Sequence, residues 1–280
     1  MDYCDKRLRR FLLVSTAIVF VFSVVRVIMI MKYIITIPAD AQQVYSIANN
    51  AVTATYTIAV CVMLALFGIY AVLKKFKNKI CVSYDDSPTI FFSSLIGFMM
   101  IATSLLYFYR IMTGEAVIDK LETSVIVSML LSSAFFLYTS SRALKQGRTL
   151  YTLLTIFPIA YTVLRVLSIF IPVRESVVDS TALFRLFGLA FTMLFFVSEI
   201  KASNDTGNRK ATIFFGLSAI LLNVIFQIPD LYLSAFWLLK FSFTSILTAI
   251  DLLIIMYIFA RLLAMTAGTE IIDIKAETTL

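Results

Sequence analysis

The sequence predicts an all-α fold: a polytopic membrane bundle of about eight transmembrane helices, arranged as four hairpins with both termini in the cytoplasm. With 60% hydrophobic residues and a mean hydropathy of +0.93, the chain has too little polar surface to cover a soluble globule. Several apolar runs reach the roughly 20 residues that a helix needs to cross hydrocarbon about 30 Å thick. Lysines and arginines gather at the ends of these runs. We therefore expect one integral membrane domain over residues 1–280 and a multi-pass protein of the cell (cytoplasmic) membrane.

The individual helices follow from the apolar runs and the short polar connectors between them. Residues 263–280 are predicted to form a short cytoplasmic tail, and no connector is long enough for a soluble domain. The eight helices are predicted at about 11–35, 51–73, 90–109, 123–141, 150–172, 182–200, 211–229 and 238–262.

The distribution of basic residues predicts the orientation of the helices. Sixteen lysines and arginines lie on one set of helix flanks and six on the other, while Arg26 and Arg165 lie inside helices. The richer side should be cytoplasmic, and it carries both termini. The first apolar run also resembles a signal peptide, and cleavage after Ala41 would leave seven helices. Its length and its interruption by Arg26 favour an uncleaved helix.

Composition argues against several classes of function. The chain has no histidine, and Cys4, Cys61 and Cys81 are scattered without a CxxC pair, so we predict no metal site and no cofactor. No Walker A, HExxH or GxSxG pattern is present, which predicts that the protein is not an enzyme. The net charge of +7 is explained by topology, so we expect the lipid bilayer rather than a nucleic acid as the partner.

A carboxylate in the middle of the last apolar run is the strongest candidate for a functional residue. Asp251 lies about 15 Å along the helix from Arg261 and about 17 Å from Lys240, close to the bilayer midplane. Lys240, Thr244, Thr248 and Asp251 follow at intervals of four, four and three, which stacks them on one helical face. This stripe should face other helices or water, either as a transport path or as a structural pairing.

Two arginines and two amides complete the predicted site. Arg26 and Arg165 lie in the outer third of their helices, where they either snorkel to the headgroups or point inward into a basic vestibule for an anionic substrate or lipid headgroup. Asn223 and Gln227 are four residues apart and share a face, so they can bind a solute or another helix.

Three further residues carry local expectations. Pro158 predicts a kink and a freed carbonyl inside the fifth helix. Pro229 predicts the end of the seventh helix, and Glu199 is expected at the membrane interface.

Two hypotheses about function follow. The first is a small permease or channel-like transporter of a small solute, ion or lipid, with Asp251 as a midplane proton or cation site. The alternative is a non-transporting membrane subunit or sensory partner of a larger complex, in which Asp251 forms a structural or intersubunit ion pair with Arg165 or a protein partner in the membrane. The sequence predicts neither the substrate nor the oligomeric state.

Overall fold

The computed structural model describes residues 6–36, 46–47, 51–73, 87–114, 119–141, 148–175, 180–203, 208–235 and 243–266. This part of the chain is helical apart from one short two-stranded ribbon. The helices are α1 (Lys6–Tyr33), α2 (Ala51–Leu73), α3 (Ser87–Met112), α4 (Lys120–Ser140), α5 (Arg148–Leu154), α6 (Ile156–Glu175), α7 (Ser180–Ser203), α8 (Arg209–Ala235) and α9 (Phe243–Ala264).

Eight apolar helical segments in the described residues are long enough to cross a membrane, which confirms the predicted number and indicates a multi-pass membrane protein. One segment is made of α5 and α6 together. The helices α3, α7 and α8 extend several residues beyond their predicted bounds, because helical hydrogen bonding continues into polar sequence after the apolar run ends.

A short ribbon that the sequence did not predict follows α1. The strand β1 (Ile34–Thr36) pairs antiparallel with β2 (Ser46–Ile47). The possible cleavage position after Ala41 lies outside the described residues, as does the chain beyond residue 266.

The fifth membrane segment is interrupted near its proline. The α-helix α5 ends at Leu154, Thr155 forms a turn, and α6 starts at Ile156. Pro158 has no amide hydrogen to donate to the carbonyl of Leu154, and its ring crowds that carbonyl. The break therefore falls one turn before the proline, and α6, which carries Arg165, can take a direction different from α5.

The predicted end of the seventh membrane helix at Pro229 is wrong. Pro229 lies inside α8, which continues to Ala235. A proline inside a helix removes one hydrogen bond, here the one to the carbonyl of Ile225, and membrane helices tolerate this when neighbouring helices surround them. The consequence is that Asp230 stands on a buried helix face and not in a loop.

Six helices form a closed ring of contacts. Following the ring, each neighbouring pair packs together in the order α3, α4, α6, α7, α8, α9 and back to α3. The two most buried membrane segments are α8 and α9, with 72% and 61% of their apolar windows inside the protein. Side chains from α4, α6, α7 and α9 meet in the middle of this ring, so the ring has a filled core.

The helices α1 and α2 pack outside the ring, and both lie against α8. Between themselves they touch mainly through aromatic side chains: Phe11 stacks on Tyr70 with ring centroids 3.6 Å apart, and the Tyr56 hydroxyl donates to the carbonyl of Phe22 at 2.8 Å. An apolar cleft of about 500 Å³ separates them next to this second contact. The first hairpin is thus held together largely through α8.

Candidate functional site

Asp251 faces the interior of the ring and has partners for both carboxylate oxygens. Its Oδ2 accepts a hydrogen bond from Arg165 Nε at 3.0 Å, and its Oδ1 accepts one from the Tyr161 hydroxyl at 2.8 Å. Both side chains of the ion pair are 3% exposed or less. Since Tyr161 and Arg165 are four residues apart on α6, one face of that helix supplies both partners.

A second ion pair lies beside the first. Arg185 of α7 contacts Asp230 of α8, with Nη1 and Oδ2 3.1 Å apart, and its Nη2 donates to the Thr248 hydroxyl at 2.9 Å. Thr248 and Asp251 are three residues apart on α9 and therefore share a face. We call the six residues that meet here the Arg165 cluster: Tyr161, Arg165, Arg185, Asp230, Thr248 and Asp251.

The predicted stripe on α9 is only partly represented in this cluster. Thr248 is fully buried and also donates to the carbonyl of Thr244, which is half-buried. Lys240, the fourth residue of the stripe, lies outside the described residues.

Both internal arginines point inward, so the expectation that they snorkel to the headgroups is wrong. Arg165 is 3% exposed and Arg26 is 5% exposed. The guanidinium carbon of Arg26 lies 4.4 Å from the ring centroid of Phe226 and 5.8 Å from that of Tyr56. A guanidinium over aromatic faces keeps a favourable cation–π interaction in a dry environment. Arg26 therefore joins α1 to α8 and α2.

Asn223 joins α8 to α7, and Gln227 supports Asn223 from the next turn of α8. Gln227 Nε2 donates to Asn223 Oδ1 at 2.8 Å, and Asn223 Nδ2 donates to the Thr192 hydroxyl at 3.2 Å and to the carbonyl of Ala219 at 2.8 Å. Gln227 Oε1 is buried without a hydrogen-bond partner among the described residues. The contacts of Asn223 are those of a helix-packing residue.

The close approach of α7 and α8 at Asn223 depends on Gly188. A Cβ at position 188 would lie 2.9 Å from Asn223 Oδ1, whereas a Cβ at Gly68 would lie 3.5 Å from its nearest neighbour, Phe214. We expect Gly188→Ala to lower the free energy of unfolding by about 1–3 kcal/mol through overpacking. Gly68→Ala is the control and should be neutral or slightly stabilising, because alanine favours the helix. Unfolding in detergent measures both, and equal stability of the two variants would contradict the close packing.

A third ion pair, which the sequence analysis did not predict, lies near the C-terminal end of α9. Arg261 Nε donates to Glu199 Oε1 at 2.7 Å, and Tyr257 contacts Glu199 Oε2 at 3.4 Å. Both charged side chains are 2% exposed. Glu199 was expected at the membrane interface, and the structure shows its side chain buried inside the protein against Arg261. The available signal was an acid inside the apolar run "FFVSEIK", at a depth that matches Arg261.

An aromatic layer separates the two groups of charges. Phe135 and Phe136 of α4, Phe196 of α7 and Tyr257 of α9 are all fully buried and form mutual contacts, with ring centroids 5.1–6.4 Å apart. Asp251 and Arg261 are ten residues apart on α9, which corresponds to about 15 Å. The core of the ring is thus layered: a charged cluster, an aromatic layer and a charged pair.

The described residues contain no group of three or more histidine, cysteine or acidic side chains placed to hold a metal ion. Comparison with known proteins gives no relative: no protein-family model, no curated protein and no solved structure matches the chain significantly. The function is therefore argued from the site alone.

Proposed function

We propose that the protein is a small membrane permease whose solute path follows the axis of the six-helix ring through the Arg165 cluster. The observation that carries the proposal is the meeting of four charged side chains from α6, α7, α8 and α9 in the core of an apolar bundle. Charges at this depth are expensive to bury, and where membrane proteins retain them they commonly mark a substrate or ion path.

A solute path needs a barrier that can open at each end, and the Arg165 cluster and the Glu199–Arg261 pair supply these two barriers. Separating the Arg165 cluster would open one end of the ring, and separating Glu199 from Arg261 would open the other, with the aromatic layer between them. In this proposal Asp251 is first the counterion of Arg165, and it becomes available to a proton or cation only when Arg165 leaves it. We place the termini in the cytoplasm and the protein in the cell membrane, and propose a non-enzymatic role, on the basis of basic-residue distribution and motif content.

The alternative is a non-transporting membrane subunit or sensory partner, and one observation favours it. Both oxygens of Asp251 are already hydrogen-bonded within the chain. A carboxylate satisfied in this way can serve as a structural clasp between α6 and α9 and carry no solute.

Uptake into proteoliposomes tests the permease. Purified protein is reconstituted, and the liposomes are offered labelled succinate, inorganic phosphate, choline, alanine and glycerol. We expect at least one solute to enter faster than into liposomes that contain the combined variant Tyr161→Phe, Arg165→Met and Asp251→Leu, because this variant removes the Arg165–Asp251 ion pair from the path. Equal uptake of all five solutes by the two preparations would overturn the proposal.

A further inference from the structure

Each arginine of the Arg165 cluster has one buried N–H group without a hydrogen-bond partner among the described residues. In arginine, Nε and Nη2 form the side-on edge that grips both oxygens of a carboxylate or phosphate. Arg165 donates from Nε to Asp251, while its Nη2 is buried and has no hydrogen-bond partner among the described residues. Arg185 is the mirror case: Nη2 donates to Thr248, and Nε is buried without a partner.

These two edges belong to one region. Arg165 binds Asp251, and Arg185 binds Thr248, one turn away on the same face of α9. Asp230 pairs with Arg185 and brings α8 to the same region. A small ligand at this position would therefore meet donors from α6 and α7 together.

Buried donors without acceptors are rare in proteins, because each loses its hydrogen bonds to water when it is buried. Two such donors belong to arginines that bind the same face of α9, and the oxygens of a small ligand would satisfy both. Arg185 is also the more accessible of the two, with 13% of its side chain exposed against 3% for Arg165. Access to the region is therefore from the Arg185 side.

We propose that Arg165 and Arg185 form a binding site for a small oxyanion, a carboxylate or phosphate group held on their Nε–Nη2 edges. The inference rests on the proposed permease and names the class of its substrate. Asp230 and Asp251 occupy the arginines when no ligand is bound, so they act as internal competitors of the anion. Thr248 accepts a hydrogen bond from Arg185 Nη2 and fixes the position of that guanidinium.

The thermal unfolding midpoint in detergent tests the site without a transport assay, because a ligand that binds the folded state raises Tm with its concentration. We expect inorganic phosphate or acetate to raise the Tm of the wild-type protein in a saturable manner, and chloride at equal ionic strength not to do so. Arg185→Lys keeps the charge and loses the planar edge, so apparent oxyanion affinity should fall at least about tenfold. Asp230→Asn removes a competitor, so apparent affinity should rise.

Two controls distinguish anion binding at this site from a nonspecific effect of charge on Tm and from binding of a lipid headgroup. Arg10 is an exposed cation on α1, and Arg10→Met should leave the anion response unchanged. Nanodiscs of phosphatidylglycerol or phosphatidylcholine form a second arm of the experiment. A lipid headgroup as the natural oxyanion would give a higher Tm in phosphatidylglycerol, reduced by Arg185→Lys, with no response to soluble phosphate or acetate.

Two results would overturn the inference: no Tm response to an oxyanion in either arm, or responses to chloride and to oxyanions that are equal and unchanged in Arg185→Lys. The uptake assay keeps the two proposals distinguishable. Oxyanion binding without uptake of any solute would retain the site and overturn the permease. Uptake restricted to choline or glycerol, the two solutes that carry neither a carboxylate nor a phosphate group, would retain the permease and overturn the oxyanion site.

Discussion

Replacing Asp251 by asparagine is expected to lower the free energy of unfolding by about 3–5 kcal/mol, because Arg165 then remains buried and charged without its carboxylate. The pair is almost completely shielded, so water cannot take the place of Asp251 unless the ring loosens. The measurement is unfolding of the purified protein in detergent by titration with sodium dodecyl sulfate. Asp119→Asn is the matched control: it is the same change at an exposed helix N-cap, where asparagine caps equally well.

The combined variant Tyr161→Phe, Arg165→Met and Asp251→Leu separates stability from function. It removes the charges and the hydroxyl together, so no buried polar group is left without its partner, and such replacements are often neutral or stabilising. We expect wild-type stability or better, with loss of solute uptake. Stable protein with normal uptake would make the Arg165–Asp251 pair a structural clasp. An Asp251→Asn variant as stable as the wild type would contradict the buried pairing itself.

Glu199→Gln should have an effect of similar size at the other end of α9. It leaves the Arg261 guanidinium buried beside a neutral amide, and we expect a loss of about 3–5 kcal/mol in the free energy of unfolding. The compensated variant Glu199→Leu, Tyr257→Phe and Arg261→Met should recover most of this loss. The same detergent titration measures both, again with Asp119→Asn as the control for a simple loss of carboxylate charge.

The comparison between these two variants is informative in its own right. If Glu199→Gln destabilises the protein and the compensated variant does not recover, the Glu199–Arg261 pair is more stabilising at this end than apolar side chains in its place. If Glu199→Gln has no effect, the 2.7 Å contact between Glu199 and Arg261 does not persist in the folded protein.

The sequence predicted the membrane segments well because their signal is local. A run of about 20 apolar residues is enough to identify a spanning helix, whatever its neighbours are. The spacing of Thr248 and Asp251 likewise placed both on one face of α9, and Arg165 was named as a partner of Asp251 because few charges were available at that depth.

The errors concern information that a linear pattern does not contain. Arg261 lies at the end of an apolar run, where a basic residue is the usual membrane anchor, and only the position of Glu199 on another helix reveals their pairing. The helix end predicted at Pro229 is wrong because the effect of the missing hydrogen bond depends on the helices that surround the proline, which the sequence pattern does not show. The pairing of Arg185 with Asp230 joins two helices whose mutual rotation no local pattern specifies.

The position of α8 has a consequence for how the chain is assembled during synthesis. The first hairpin leaves the ribosome early, yet the helix that both of its members contact starts only at Arg209, 136 residues after α2 ends at Leu73. Until then the aromatic contacts and the hydrogen bond from Tyr56 to Phe22 join α1 to α2, and the sides that α8 later covers lack that partner. Domains generally fold as they emerge from the ribosome. Here α1 and α2 are synthesised first, but their packing is complete only after α8 has been synthesised.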